Sequence, residues 1–176
     1  MNVVIVFESL WGNTAAIARA IADGVGESAH ALSTAEATPD VVAAAGLVIA
    51  GAPVHAMGLP SEHSRESASR KPQGAGHLAA DLSHPPMRDW LDALPAGPRL
   101  GAAFETRIRG PLGRGAASGI AHALESHGLT LIDGPRSFNV HLKTSSSESA
   151  ALLFDGELDA AREWGELLSE RALARR

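Results

Sequence analysis

Ser9, Asn13 and Thr14 put two hydroxyls and a carboxamide on one short turn, with Gly12 among them. The turn follows five apolar residues, Val3 to Phe7, which read as a buried strand. It precedes a helical pattern that opens at Asn13 and Thr14 and carries Ile17, Ile21 and Val25 on one face. A strand that ends in a hydroxyl-bearing turn at a helix N-terminus is a phosphate cradle. The unpaired amides of the first helical turn point at an anion, and the helix dipole favours its charge. Gly12 lets the backbone come close. The turn has no Lys, so it is not a P-loop, and it lacks the Gly-x-Gly-x-x-Gly dinucleotide fingerprint. A look-alike at Gly24-Val25-Gly26-Glu27-Ser28-Ala29 falls at the end of the first helix and reads as a helix stop. Hydroxyl donors without Lys suit a phosphomonoester held by neutral groups.

Other chemistries fit less well. With no Cys, the chain has no thiol nucleophile, disulfide or thiolate metal site. Among the eight His residues, His122 and His127 lie five apart on a helix and do not share a face, and His77 and His84 sit in a polar stretch. Solvated or satisfied imidazoles account for them better than a metal centre. Ser9 stands at a strand-to-helix elbow but lacks the flanking glycines of a hydrolase nucleophile. A phosphoacceptor site needs an Asp at the end of the third strand, where this chain has Gly51. The net charge of -5 with no basic run disfavours nucleic acid and anionic membranes as partners. No apolar run approaches a membrane span, and no basic leader precedes the first strand, so a cytoplasmic location is expected.

The elements that must position these groups alternate along the chain. Ala29 to Ser33 is a short second strand, Val41 to Ala45 a short helix and Leu47 to Ala50 a buried central strand. Ser61 to Ser83 is polar and without a clear period, a candidate flexible insertion. Pro85 and Pro86 start a helix with Met87, Trp90, Leu91 and Leu94 at helical spacing. Arg99 to Phe104 is a fourth strand, Gly113 to His127 a helix stopped at Gly128, and Leu129 to Ile132 a fifth strand. Asp155 caps a final helix with Leu158, Ala161, Trp164 and Leu168. Strands separated by helices predict one α/β domain over residues 1–176, with a parallel sheet covered on both faces.

Glu8 to Thr14 resembles the phosphate loop of the flavodoxin family, which binds the terminal phosphate of FMN. Ser9, Gly12 and Thr14 match its pattern; Leu10 and Trp11 are less usual, and Trp11 replaces a hydroxyl donor. The run Gly51 to Pro60 resembles the family's second flavin loop, with Pro53, His55 and Gly58 at matching places and Val54, Ala56 and Met57 between them. Val54 stands where a hydroxyl is common. The chain has no Tyr, so Trp11 or His55 must supply any aromatic face for the ring. Glu105, Thr106 and Arg107 resemble the third flavin loop, whose amides usually bond the ring edge. Met87 to Leu91, Asp155 to Leu158 and Trp164-Gly165 extend the likeness to a bacterial subgroup of the family over nearly the whole chain.

The resemblance implies a three-layer α/β fold with a five-stranded parallel sheet, order 2-1-3-4-5, and FMN beyond the C-terminal strand edges. It implies electron transfer, through a redox partner protein or by reduction of a small acceptor such as a quinone. The cluster Arg107, Arg109 and Arg114 favours the reductase form, and Arg107 near the ring would raise the flavin potential against Glu105. The competing expectation is a flavodoxin-like scaffold without tight FMN binding, acting through protein contacts. Its support is the missing Tyr and the hydroxyl-poor turn.

Overall fold

The computed structural model describes residues 1–55, 58–70, 78–110, 115–141 and 147–175. The apolar run Val3–Phe7 forms β1, and every one of its side chains is buried. It pairs in parallel with β2 (Ala29–Ser33) on one side and β3 (Leu47–Pro53) on the other, with Val3 opposite Ala29 and Leu47. Beyond β3 come β4 (Arg99–Ile108) and β5 (Leu129–Leu131), which completes the parallel order 2-1-3-4-5.

Side chains alternate across a strand, so β1 feeds two cores. Val3, Ile5 and Phe7 pack with Ile17 and Ile21 of α1 (Asn13–Val25) and with Trp164 and Leu168 of α6 (Glu157–Leu173). Val4 and Val6 pack on the other face with Val42 of α2 (Pro39–Ala43), Trp90 of α4 (Met87–Asp92) and Ile120 of α5 (Ala116–Ser126). This is the expected three-layer arrangement.

Several elements differ in extent from the sequence reading. The segment after β3 carries a helix, α3 (Glu62–Arg70), whose buried residues are Arg65 and Ala68. An Arg on the inner face leaves no apolar period to read. β4 runs on past Phe104 to Ile108, because β3 pairs with it as far as Thr106 and a sixth strand, β6 (Arg136–Val140), pairs with Phe104 to Ile108 in parallel. Ile132, Asp133, Gly134 and Pro135 separate β5 from β6. Gly156, at φ +84, precedes α6 in the capping position expected of Asp155, and Leu158 is exposed.

α1 and α6 approach backbone to backbone. A Cβ on Gly165 would stand 2.2 Å from the Ile21 carbonyl oxygen, and one on Gly24 would stand 2.0 Å from the Arg162 carbonyl oxygen. A carbonyl in a helix cannot rotate away as a side chain can. Gly165→Ala is therefore expected to lower stability by about 1–3 kcal/mol through overpacking, despite the better helix propensity of Ala. Urea unfolding reads the change; an unchanged midpoint would mean that the helices separate without cost.

Candidate functional site

The C-terminal ends of β1, β3 and β4 lie side by side, and the turn from β1 into α1 stands among them. Gly12 is its pivot, at φ +85 in the left-handed region, with no side-chain cap on the first turn of α1. Ser9 is buried, and among the described residues its Oγ has no hydrogen-bond partner. Its backbone N–H donates to His84 Nε2 at 3.0 Å. Leu10 is buried, and its carbonyl accepts the Asp81 N–H at 2.8 Å. Thr14 Oγ1, on the first turn of α1, lies 2.7 Å from Thr106 Oγ1 on β4, so two expected site residues from different elements meet.

A second segment closes on the turn from the other side. The Ala150 N–H donates to the Trp11 carbonyl at 3.1 Å, and the Leu152 N–H donates to Asn13 Oδ1 at 3.2 Å. Asn13 thus spends its carbonyl oxygen on the chain itself. A Cβ on Gly12 would fall 1.9 Å from Ser149 Oγ, which can rotate away, and 3.1 Å from the Ala150 backbone nitrogen, so the left-handed backbone is the main reason for a glycine there.

Beneath the turn lies a buried polar cluster. Glu8 is fully buried; its Oε1 is 2.5 Å from an Arg65 guanidinium nitrogen, and its Oε2 accepts the Met87 N–H at 2.9 Å. Arg65 also donates to the His84 carbonyl at 2.6 Å. Burial first, and then the Arg65 charge, hold the His84 imidazole below its usual pKa, while Asp81 and Glu8 oppose the shift. The Ser9 N–H needs a lone pair on Nε2, so the ring in this arrangement is neutral with its proton on Nδ1. A His depressed in the folded chain binds fewer protons than the unfolded chain just below the ordinary imidazole range. Stability is therefore full above about pH 6.5 and falls with pH down to the folded value. Urea titrations of wild type and His84→Gln across that window check this; the drop is expected to be smaller in the variant.

Three solved structures place the architecture. A flavodoxin from the domain Archaea superposes with TM-score 0.64 at 19% identity, over 98% of this chain and 99% of that one. Flavodoxin 1 from Bacillus cereus gives 0.64 at 14%, over 100% and 99%. A WrbA-like flavodoxin protein from Agrobacterium tumefaciens gives 0.56 at 18%, over 99% of each. The fold is flavodoxin-like. No protein-family model matches the chain, and no curated protein does.

In this flavodoxin-like fold the second expected loop leaves β3 at Pro53. The Val54 N–H donates to the Thr106 carbonyl at 2.9 Å, and His55 and Gly58 exchange backbone hydrogen bonds of 2.9 and 3.0 Å. Ala56 and Met57 lie outside the described residues. The Trp11 and His55 rings stand 6.1 Å apart between centroids, tilted by 36°, and both are partly exposed. The two aromatic candidates are therefore neighbours on one rim.

The third segment is a strand and not a loop. Glu105, Thr106 and Arg107 are residues of β4, and they alternate in direction. Thr106 meets Thr14 on the α1 face. Glu105 is buried, with Oε2 accepting the Ala117 N–H at 2.9 Å and Oε1 accepting the Ser137 hydroxyl at 2.9 Å. Its carboxylate anchors the first turn of α5, where the helix dipole favours it. Arg107 lies 3.8 Å from Glu105 and donates to the Gly110 carbonyl at 2.5 Å. These side chains hold each other and the start of α5. Arg109 is exposed, and Arg114 lies outside the described residues.

The residues at the turn fit a phosphomonoester. Ser9 Oγ is a buried hydroxyl without a partner among the described residues, beside a helix start with no side-chain cap and a glycine in the left-handed region. His84, Arg65 and the 149–152 segment join the site without being expected there from the sequence. For His84 the only signal was its place before the Pro85-Pro86 helix start, and an isolated His says nothing of its partner.

Proposed function

We propose that the chain binds FMN, with its phosphate in the 9–14 turn, and acts as a flavodoxin-like redox protein that passes electrons to a partner protein or to a small acceptor such as a quinone. The observation that carries the reading is the buried Ser9 hydroxyl, without a partner among the described residues, in an uncapped helix-start turn. In this reading Ser9, Gly12, Asn13 and Thr14 hold the phosphate, with Leu10 and Trp11 completing the turn. Pro53, Val54, His55, Ala56, Met57 and Gly58 flank the ring on the second loop, and Glu105, Thr106 and Arg107 lie at its third side. Bound FMN supplies one- and two-electron chemistry. The chain's own part is to hold the phosphate and offer the Trp11–His55 rim as an aromatic face. Among the described residues no helix is long and apolar enough to cross a membrane.

A second reading has its own support. His84 occupies the Ser9 amide, and the 149–152 segment lies on Gly12. A turn held in this way suits a scaffold that binds flavin weakly and works through protein contacts.

Titration with FMN and with riboflavin separates the two. Two charge-assisted hydrogen bonds at about 1.5–3 kcal/mol each give FMN a preference of about a hundred-fold or more. Flavin absorbance and quenching of tryptophan fluorescence report binding. Equal affinity for the two flavins, or binding of neither, rejects the first reading.

A further inference from the structure

The Ser9–His84 contact gives the turn a property that an ordinary phosphate cradle lacks. Ser9 offers an anion two donors, its N–H and its hydroxyl. The hydroxyl is buried and has no partner among the described residues. The N–H is already committed to His84 Nε2 at 3.0 Å, and only an unprotonated Nε2 can accept it. His84 is itself buried, and its Nδ1 also has no partner among the described residues. That hydrogen bond requires the neutral ring, which burial and the Arg65 charge also favour.

We propose that His84 is a proton-coupled member of the anion site: a phosphomonoester entering the 9–14 turn takes over the Ser9 amide, and His84 takes up a proton from solvent as it lets that amide go. The proposal rests on the FMN reading of the same turn. Two effects act in one direction. The anion competes for the N–H that keeps Nε2 unprotonated. Its charge also favours an imidazolium beside it.

The charged groups around His84 set the baseline and do not reverse the sign. Glu8, from the end of β1, attracts a proton to the ring; Arg65, from α3, repels it; Asp81, on His84's own segment, attracts it. Glu8 and Arg65 are paired with each other at 2.5 Å, so their effects largely offset. An anion added at Ser9 comes on top of this balance. Linkage then requires that binding tighten as pH falls.

The experiment measures proton uptake on FMN binding, by calorimetry in buffers of different ionisation enthalpy, for wild type and His84→Gln. The Gln Oε1 can accept the Ser9 N–H but cannot take up a proton. The FMN phosphate titrates near pH 6 itself, and it does so in both proteins, so the difference between them belongs to His84. Wild type is expected to take up more protons than the variant, and its affinity relative to the variant to rise by about tenfold between pH 8 and pH 5, as a one-unit shift at a single His produces. Imidazole 15N shifts of wild type alone give a second reading: His84 is expected to change from the neutral Nδ1–H form towards the imidazolium when FMN is added at pH 7, and to stay unchanged with riboflavin. Equal proton uptake in the two proteins, or a His84 signal that FMN does not move, overturns the coupling while leaving FMN binding intact. Failure of wild type to bind FMN overturns the underlying reading and the coupling with it.

Discussion

Ser9→Ala is expected to weaken FMN binding about ten- to a hundred-fold while leaving the fold as stable as before, or more so. A charge-assisted hydrogen bond is worth about 1.5–3 kcal/mol, and one tenfold step in affinity is about 1.4 kcal/mol. The usual objection to such a variant is that it damages the protein. Here the hydroxyl is buried and partnerless among the described residues, so in the free chain it contributes only the cost of its desolvation. Removing it relieves that cost. Thr14→Ala makes the contrast, because Thr14 Oγ1 is bonded to Thr106 Oγ1 at 2.7 Å and both side chains are buried. It is expected to lose stability as well as FMN affinity. Urea midpoints and FMN titrations of the two variants, beside riboflavin, give the comparison. If Ser9→Ala binds FMN like wild type, the phosphate is not at this turn.

How far such a site can be read from sequence depends on what each residue is bonded to. The Val3–Phe7 run could be read because a strand buried on both faces must be apolar throughout. The Asn13 start of α1 could be read because the apolar residues switch there to helical spacing. α3 could not, since its inner face is an Arg and an Ala, and Arg65 is buried only because Glu8, far away in sequence, is there to meet it. Glu105 shows the same limit in reverse. Its type and place next to Arg107 read as groups facing a ligand. In the fold it is bonded to Ala117 and Ser137, and the strand continues through it because β6 supplies a partner edge. β6 itself, Arg-Ser-Phe-Asn-Val, has one fully buried side chain, Phe138, and follows a Gly-Pro break, which hides it. Motifs made of consecutive residues were legible. Pairs joined across the chain, such as Ser9 with His84, were not.

The largest loss of stability is expected from Arg65→Met. Glu8 is fully buried, and Arg65 is the positive charge paired with it, at 2.5 Å. Removing one member of a buried pair leaves an unpaired charge in a low-dielectric interior and costs about 3–5 kcal/mol, which is a large part of the about 5–15 kcal/mol that holds a domain together. Removing the charge from both members is a different matter. In Glu8→Gln with Arg65→Met no ion remains, and the Gln oxygen can still accept the Met87 N–H that Glu8 now accepts at 2.9 Å. The double variant is therefore expected to recover most of the loss, with a coupling energy of about 2–3 kcal/mol in the cycle. Urea unfolding of the set measures it. Arg65→Lys serves if the Met variant does not fold, since it keeps the charge but loses the planar fork that reaches Glu8 and the His84 carbonyl together. A double variant no more stable than Arg65→Met would show that the geometry of the guanidinium, and not its charge, ties α3 and His84 to the end of β1. The two outcomes differ in what they mean for the turn: a charge requirement concerns Glu8 alone, whereas a geometric one makes Arg65 the anchor that keeps His84 against Ser9.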